Sequence, residues 1–368
     1  MDSDYICVRK LKITPHKMQE NIKKPLLGMT LDGLRAVVAA LGLKSFAAGQ
    51  IASWLYQKRV TDIDAMTNLS KSARAALAER YYVGREAPKA EARSADGTTK
   101  YLFEGVGGRD IETVCIPDRD RATVCVSSQA GCRMNCAFCM TGRQGFHGNL
   151  TAAAIINQVL SIPESEDLTN IVFMGMGEPT DNLSAVLDAI EVLTAPWGLA
   201  WSPKRITVSS IGKFKELKTL LDHTKVHIAI SVHSPIGEQR ESLMPVERAY
   251  PVREVFSLLR GYDFAHQRRL SVEYIMWRGV NDSMRHAEML ARLIKGTDAR
   301  VNLIRFHAIP DSDLKPCSQH TMEAFRNKLN ELGVTATIRA SRGEDIMAAC
   351  GMLAGRKKEN NTQSDKNI

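Results

Sequence analysis

The chain has 368 residues, 44% of them hydrophobic and 24% charged, with a formal net charge of +8, an ordinary globular composition that suits one large domain and a smaller one. No stretch near the start has the length of a signal peptide, and no run approaches the roughly 20 apolar residues of a membrane helix, which argues against a membrane protein and for a cytoplasmic one. The excess of basic residues fits a polyanionic partner, since each Lys or Arg that meets a phosphate releases counterions.

The first twenty-odd residues carry no clear period. From Thr30, a plausible N-cap, the pattern turns helical: Leu31, Leu34, Val37, Val38 and Leu41 form one face and Gly42 fits the stop. A second helix from Ser45 is expected to bury Phe46, Ile51, Trp54 and Leu55, and a third, near 71–82, carries Ala73, Leu77 and Tyr81. The period then switches to two. Residues 99–104 and 110–116 read as strands joined by a Gly-Val-Gly-Gly turn, and 122–127 as another. Apolar runs at 170–174, 206–209, 226–232, 271–275, 301–306 and 335–339 then alternate with helical segments. That rhythm means βαβ units. The expected fold is α/β: an incomplete (β/α) barrel of six or seven parallel strands, preceded by a β-hairpin extension and a small N-terminal helical domain. The expected division is 1–95 for the N-terminal domain with its linker, 96–355 for the barrel with its extension, and a disordered polar tail at 356–368. There are no internal repeats.

Eight cysteines in a chain of reduced thiols point to metal or redox chemistry. Residues 131–142 read GCRMNCAFCMTG, placing Cys132, Cys136 and Cys139 as C-x3-C-x2-C in a loop after a strand. Three such thiolates can hold three corners of a cubane cluster and leave the fourth iron open for chemistry. A structural zinc site with Cys125 as fourth ligand is the competing reading, but no second C-x2-C pair or spaced His follows. Phe138 can shield a cluster or serve the core.

This signature resembles that of the radical S-adenosylmethionine (SAM) enzymes. With CVSSQAGCRMNCAFCMTGRQGF, MGMGEP, NLIRF, RGEDI and AACGMLAG, the chain resembles the RlmN/Cfr family of RNA methyltransferases from about Thr30 almost to Arg356. The resemblance implies a 4Fe–4S cluster on Cys132, Cys136 and Cys139, and two SAM molecules per turnover. It implies SAM contacts from Gly177, Glu178, Ser209, Ser231, Val232, His233 and, where relatives usually carry Asn, His307. It also implies that Cys350 carries the methyl group, that Cys125 resolves the intermediate and that Glu112 accepts a proton. Read without it, Ser209 is equally a helix cap, Glu112 a surface-facing strand residue, and an isolated cysteine a small core residue. Cys7, Cys115 and Cys317 match no motif and are taken as structural.

The implied substrates are an adenosine of the peptidyl-transferase centre of 23S rRNA and the adenosine 3′ to some tRNA anticodons, with an electron donor such as flavodoxin and a monomeric enzyme. The Gly-Glu-Pro and Arg-Gly-Glu-Asp-Ile spellings resemble the members that methylate carbon 2, while SVHSP and NLIRF also occur in carbon-8 members. A glycyl-radical activase and a non-catalytic zinc RNA-binding protein are the rivals outside the family.

Overall fold

The computed structural model describes residues 23–266 and 268–355. The N-terminal domain opens with β1 (Lys24–Pro25) and continues through α1 (Leu31–Ala40), where Thr30 Oγ1 accepts from Gly33 N at 3.2 Å, the expected cap. Next comes α2 (Ala47–Ala52), which runs into a π-helical turn at Ser53–Gln57. The helix α3 (Lys71–Arg80) starts at the Ser70 cap. Two expectations fail here. Phe46 is 62% exposed because it precedes the first turn of α2 and points away from the bundle. Tyr81 belongs not to α3 but to β2 (Tyr81–Tyr82), which pairs in parallel with β1.

This domain shares its core with the barrel: Leu34, Ile51, Leu55 and Leu77 belong to the same apolar cluster as the barrel strands. Contact is close enough that a Cβ on Gly28, at φ +77°, would lie 2.2 Å from the backbone nitrogen of Ala153.

The sheet begins at β3 (Ala90–Arg93), followed by β4 (Thr99–Phe103), β5 (Ile111–Asp118) and β6 (Arg121–Cys125), all antiparallel neighbours. Strand β3 puts residues 90–93 in the barrel's sheet, so the expected boundary at 95 falls a few residues late. After β6 the chain forms a small hairpin, β7 (Gln129–Gly131) and β8 (Phe146–Asn149), enclosing the short helix α4 (Met140–Arg143).

From there strands and helices alternate. In chain order they are α5 (Ala152–Leu160), β9 (Asn170–Phe173), α6 (Leu183–Thr194), β10 (Ile206–Ser210), α7 (Phe214–His223) and β11 (His227–Ser231). Then come α8 (Gly237–Leu243), α9 (Val252–Leu259), β12 (Leu270–Met276), α10 (Met284–Ile294), β13 (Arg300–Arg305), α11 (Gln319–Glu331) and β14 (Ala336–Arg339). Strands β6 and β9 to β14 pair in parallel in that order. These are seven strands, within the six or seven expected, and β14 and β6 are not joined to each other among the described residues, so the barrel is incomplete. Apolar side chains on both faces, such as the successive Ile228, Ala229 and Ile230, are fully buried, as parallel strands covered by helices require. The C-terminal strand ends gather at one rim, where such folds place their chemistry. Cys7 and the tail at 356–368 lie outside the described residues.

Candidate active site

The β7–β8 hairpin frames the cysteine loop. Cys132 follows β7 and donates its N–H to Gly145 O at 2.9 Å; Cys139 is the residue before α4 and bonds back to Cys136 O at 3.1 Å. Gly131, at φ +73°, is obligatory, because a Cβ there would stand 1.8 Å from Gly145 O. Phe138 is buried and packs edge-on to His233 at 4.8 Å and tilted against Trp277 at 5.1 Å between ring centroids. It therefore lines the cavity and serves the core at once.

The three cysteines face one cavity together with Gly175, Gly177, Glu178, Ser209, Ser231 and His233. Burial pushes the Cys132 thiol up to about 12 and raises those of Cys136 and Cys139. A coordinating metal reverses that preference and deprotonates the thiols. Among the described residues no three His, Cys, Asp or Glu side chains are grouped as for a single ion. A cubane places each thiolate on its own iron.

Glu178 is buried, and its carboxylate braces the rim. Oε1 accepts from Thr180 N at 3.1 Å and from Thr180 Oγ1 at 2.5 Å, and Oε2 accepts from Ile211 N at 3.1 Å. Burial still raises its pKa. Ser209 faces the cavity, whereas its neighbour Ser210 takes the capping work, accepting from Gly212 N at 3.0 Å. Buried His233 has φ +56° and accepts from Ile275 N at Nδ1, 3.0 Å away. Burial, and next the Arg240 charge, push it down to about 3. It is therefore neutral, with its proton on Nε2. Val232 is fully buried and does not line the cavity; only its backbone belongs to the rim, its carbonyl accepting from Arg240 Nε at 3.1 Å.

Cys350 is exposed and lines the same cavity, and Met140 N donates to Gly351 O at 2.8 Å. Cys125, at the end of β6, is buried, and its thiol is pushed up to about 12 by burial and next by the nearby Cys350. The segments from opposite ends of the barrel sequence thus converge beside the cluster loop. Two placements differ from expectation. His307 lies not in this cavity but in an adjoining one, with Nε2 at 2.8 Å from Ser341 Oγ and Nδ1 at 3.0 Å from Glu344 Oε1. Glu112 lines neither cavity and is held between Lys100 Nζ, 3.0 Å, and Ala354 N, 2.8 Å.

Residues 24–83 match the ribosomal RNA large subunit methyltransferase N-terminal domain, and 126–291 the radical SAM superfamily. The "Probable dual-specificity RNA methyltransferase RlmN" of Phocaeicola vulgatus is 57% identical over 340 residues, covering 92% of this chain and 97% of the relative. The dual-specificity RNA methyltransferase RlmN of Geotalea uraniireducens is 41% identical, covering 91% and 97%. A crystal structure of a radical SAM methyltransferase from Sphaerobacter thermophilus superposes with a TM-score of 0.83 at 40% identity, covering 90% of this chain and 99% of that one.

The chain belongs to the RlmN family. It is therefore a radical SAM methyltransferase that acts on RNA, with a 4Fe–4S cluster and SAM as cofactors. The residues present fit these groups. Glu273 lines the cavity, and its buried Oε2 has no hydrogen-bond partner, an acceptor left for a polar ligand. Gly177, at φ +98°, lets backbone approach where a Cβ would meet Gln129 at 2.5 Å.

In the RlmN family setting, three residues stand out that sequence reading missed. Arg240, fully buried, pairs with Glu247 and donates to the carbonyls of Ser231 (2.9 Å) and Ile211 (3.3 Å), tying together the ends of β10 and β11. Arg339 ends β14 beside Cys350 and Cys125; negative charge at Cys350, and next the Glu273 carboxylate, raises its pKa. It reaches Glu273, the third, with Nη1–Oε2 3.8 Å. The sequence signal is that Arg339 and Glu273 are the charged residues of their mainly apolar strands.

Proposed function

We propose that this enzyme methylates carbon 2 of an unpaired adenosine in 23S rRNA and in tRNA, carrying the methyl group on Cys350. The reading rests above all on Cys350, which lines the cluster cavity and stands beside both Cys125 and Arg339. The family's carbon-2 members and the spelling MGMGEP support the choice of atom. Carbon 2 of adenine is a poor nucleophile, so a directly transferred methyl cation does not suit it. SAM and the cluster supply a methyl group and the one-electron chemistry that activates an unreactive C–H bond.

The chain's own residues do the rest. Cys350 Sγ holds the carbon that joins the base, making a covalent link between enzyme and RNA. Glu112 accepts the proton lost from carbon 2. Cys125 Sγ, as a thiolate, then attacks Cys350 Sγ; the carbon–sulfur bond breaks with its electron pair staying on carbon, that carbon takes up a proton to complete the methyl group, and the methylated RNA leaves behind a Cys125–Cys350 disulfide. A dithiol reductant resets it, and a flavodoxin-class protein feeds electrons to the cluster. The enzyme works as a cytoplasmic monomer. An unpaired adenosine fits because its base can leave the stack and enter a pocket.

The test is a pair of variants purified from cells. Cys125→Ala forms the link but cannot break it, so RNA stays attached to protein on a denaturing gel. Cys350→Ala shows no such adduct. Mass spectrometry of RNA methylated by the intact enzyme locates the methyl; finding it on carbon 8 would overturn the choice of atom.

A further inference from the structure

A second cavity, of about 300 Å³, adjoins the cluster cavity, and Ile304, Arg339 and Cys350 line both. It lies where the parallel sheet fails to close. One wall is the β5–β6 hairpin, with Asp118, Arg121 and Thr123; the other is the chain after β14, with Ser341 and Arg342. Resting on the function proposed above, we propose that this cavity takes the acceptor nucleotide, with Arg121 and Arg342 gripping a backbone phosphate at its mouth.

The argument starts from Cys350. A carrier sulfur must present its carbon to two reactants, the one that activates it and the one that receives it. Cys350 sits on the wall common to two cavities, and the cluster thiols occupy only the first. The second is left for the acceptor, and its volume is at the lower end of the range for small-molecule pockets.

Charge gives the orientation. Among the described residues Asp118 is the one carboxylate lining the cavity, against the guanidinium groups of Arg121, Arg339 and Arg342. Arg121 Nη2 stands 3.4 Å from Asp118 Oδ2, and Arg342 Nη2 stands 3.5 Å from Oδ1. Arg121 is paired with Asp118 across the hairpin register. One carboxylate thus aligns two arginines that come from different walls, while most of their N–H donors stay free. The Arg121 side chain is 70% exposed, so this pair lies at the solvent side, while Cys350 lies on the wall shared with the cluster cavity. Planar guanidinium forks match phosphate oxygens two at a time. A phosphate held at the mouth leaves its base pointing inward to Cys350. Because Arg342 rides on the segment that carries Cys350, gripping the RNA also places the carrier.

The experiment measures RNA affinity against salt, and KM against kcat, with the reconstituted enzyme and an RNA stem-loop bearing an unpaired adenosine. Arg121→Gln and Arg342→Gln should each reduce the log–log salt slope by about 0.7, the value for one phosphate contact on single-stranded RNA. Each should raise KM about tenfold, with a smaller change in kcat. Arg269→Ala with Arg300→Ala, near the opposite strand ends, should alter neither. A merely structural Asp118–Arg342 contact would change melting temperature without changing the slope. Should Arg342→Gln not fold, Arg121→Gln decides, since it replaces an exposed side chain. Intact enzyme that fails to methylate the RNA overturns the functional reading and the pocket with it. Intact enzyme that methylates, beside an Arg121→Gln variant with full slope and unchanged KM, overturns the pocket alone.

Discussion

Glu112 Oε2 accepts a hydrogen bond from the backbone N–H of Ala354, 2.8 Å away, while its Oε1 pairs with Lys100 at 3.0 Å. The strand leading toward the cluster loop is thereby fastened to the segment four residues beyond Cys350. Thr141 Oγ1 donating to Leu353 O at 2.6 Å and Asp96 accepting from Gly343 N at 3.0 Å fasten the same segment elsewhere. Under the function proposed above Glu112 would also take a proton, and the two functions are separable.

Glu112→Gln keeps an amide oxygen for Ala354 N and removes the base. The expected outcome is a segment as resistant to limited proteolysis as in the parent, with a methylation rate lower by about 10²-fold, within the range for a lost general base. Glu112→Ala should lose both, leaving the Lys100 charge unpaired and the segment cleaved faster.

Replacing Gly131 by Ala tests the cluster loop without touching a ligand. The added Cβ meets Gly145 O at 1.8 Å in a backbone region that disfavours side chains. Iron and sulfide content should fall well below that of the parent, with a loss of about 2–4 kcal/mol in stability. Far-ultraviolet circular dichroism should stay unchanged, since the seven parallel strands do not depend on this turn. Undiminished iron would show that the loop can form without the glycine.

The parallel strands were readable because both of their faces are covered, which turns each into a run of apolar residues such as Val301, Leu303 and Ile304. Strand β3, Ala-Glu-Ala-Arg, is a polar edge strand, and β7 and β8 are too short and glycine-rich to show a period. These three exist through pairing rather than pattern. In the site, the cysteine spacing was local and therefore legible. The settings of Arg339 and His307 were not. Arg339 meets Cys125 across more than two hundred residues, and His307 gives its two ring nitrogens to Ser341 and Glu344. No local pattern encodes such contacts.

The Arg240–Glu247 pair ties together the strand ends at the cavity rim, and it is almost wholly out of water, at 0% and 8% side-chain exposure. Arg240→Met leaves Glu247 buried without its partner and frees the carbonyls of Ser231 and Ile211. Breaking such a pair costs about 3–5 kcal/mol. The double variant Arg240→Met/Glu247→Leu should recover much of that stability in denaturant titrations. SAM affinity should not recover, because the two strand ends remain untied.

Thiol labelling separates the structural cysteines from the carrier. Cys115 is buried, and its thiol is pushed up to about 12 by burial, then by Glu164 and Asp167; Cys317 is pushed up to about 12 by burial and by Asp282. An acid whose pKa is raised in the folded state stays protonated, and only the thiolate reacts. Relative to an ordinary thiol at 9.0, a value of about 12 lowers the thiolate fraction about a thousandfold at pH 8. Exposed Cys350 should therefore take up iodoacetamide first in the native holoenzyme once any methyl is absent, with Cys115 and Cys317 silent. The linked stability effect has a definite sign. The buried neutral thiols stabilise the fold fully below the unfolded value, taken as the same 9.0, and that contribution is lost as pH rises from there toward 12. Mass mapping of labelled peptides between pH 7 and pH 10 measures the first effect, and denaturant midpoints over the same range measure the second. Labelling of Cys115 at a rate comparable to Cys350 at pH 8 would show that β5 opens to solvent in the native state.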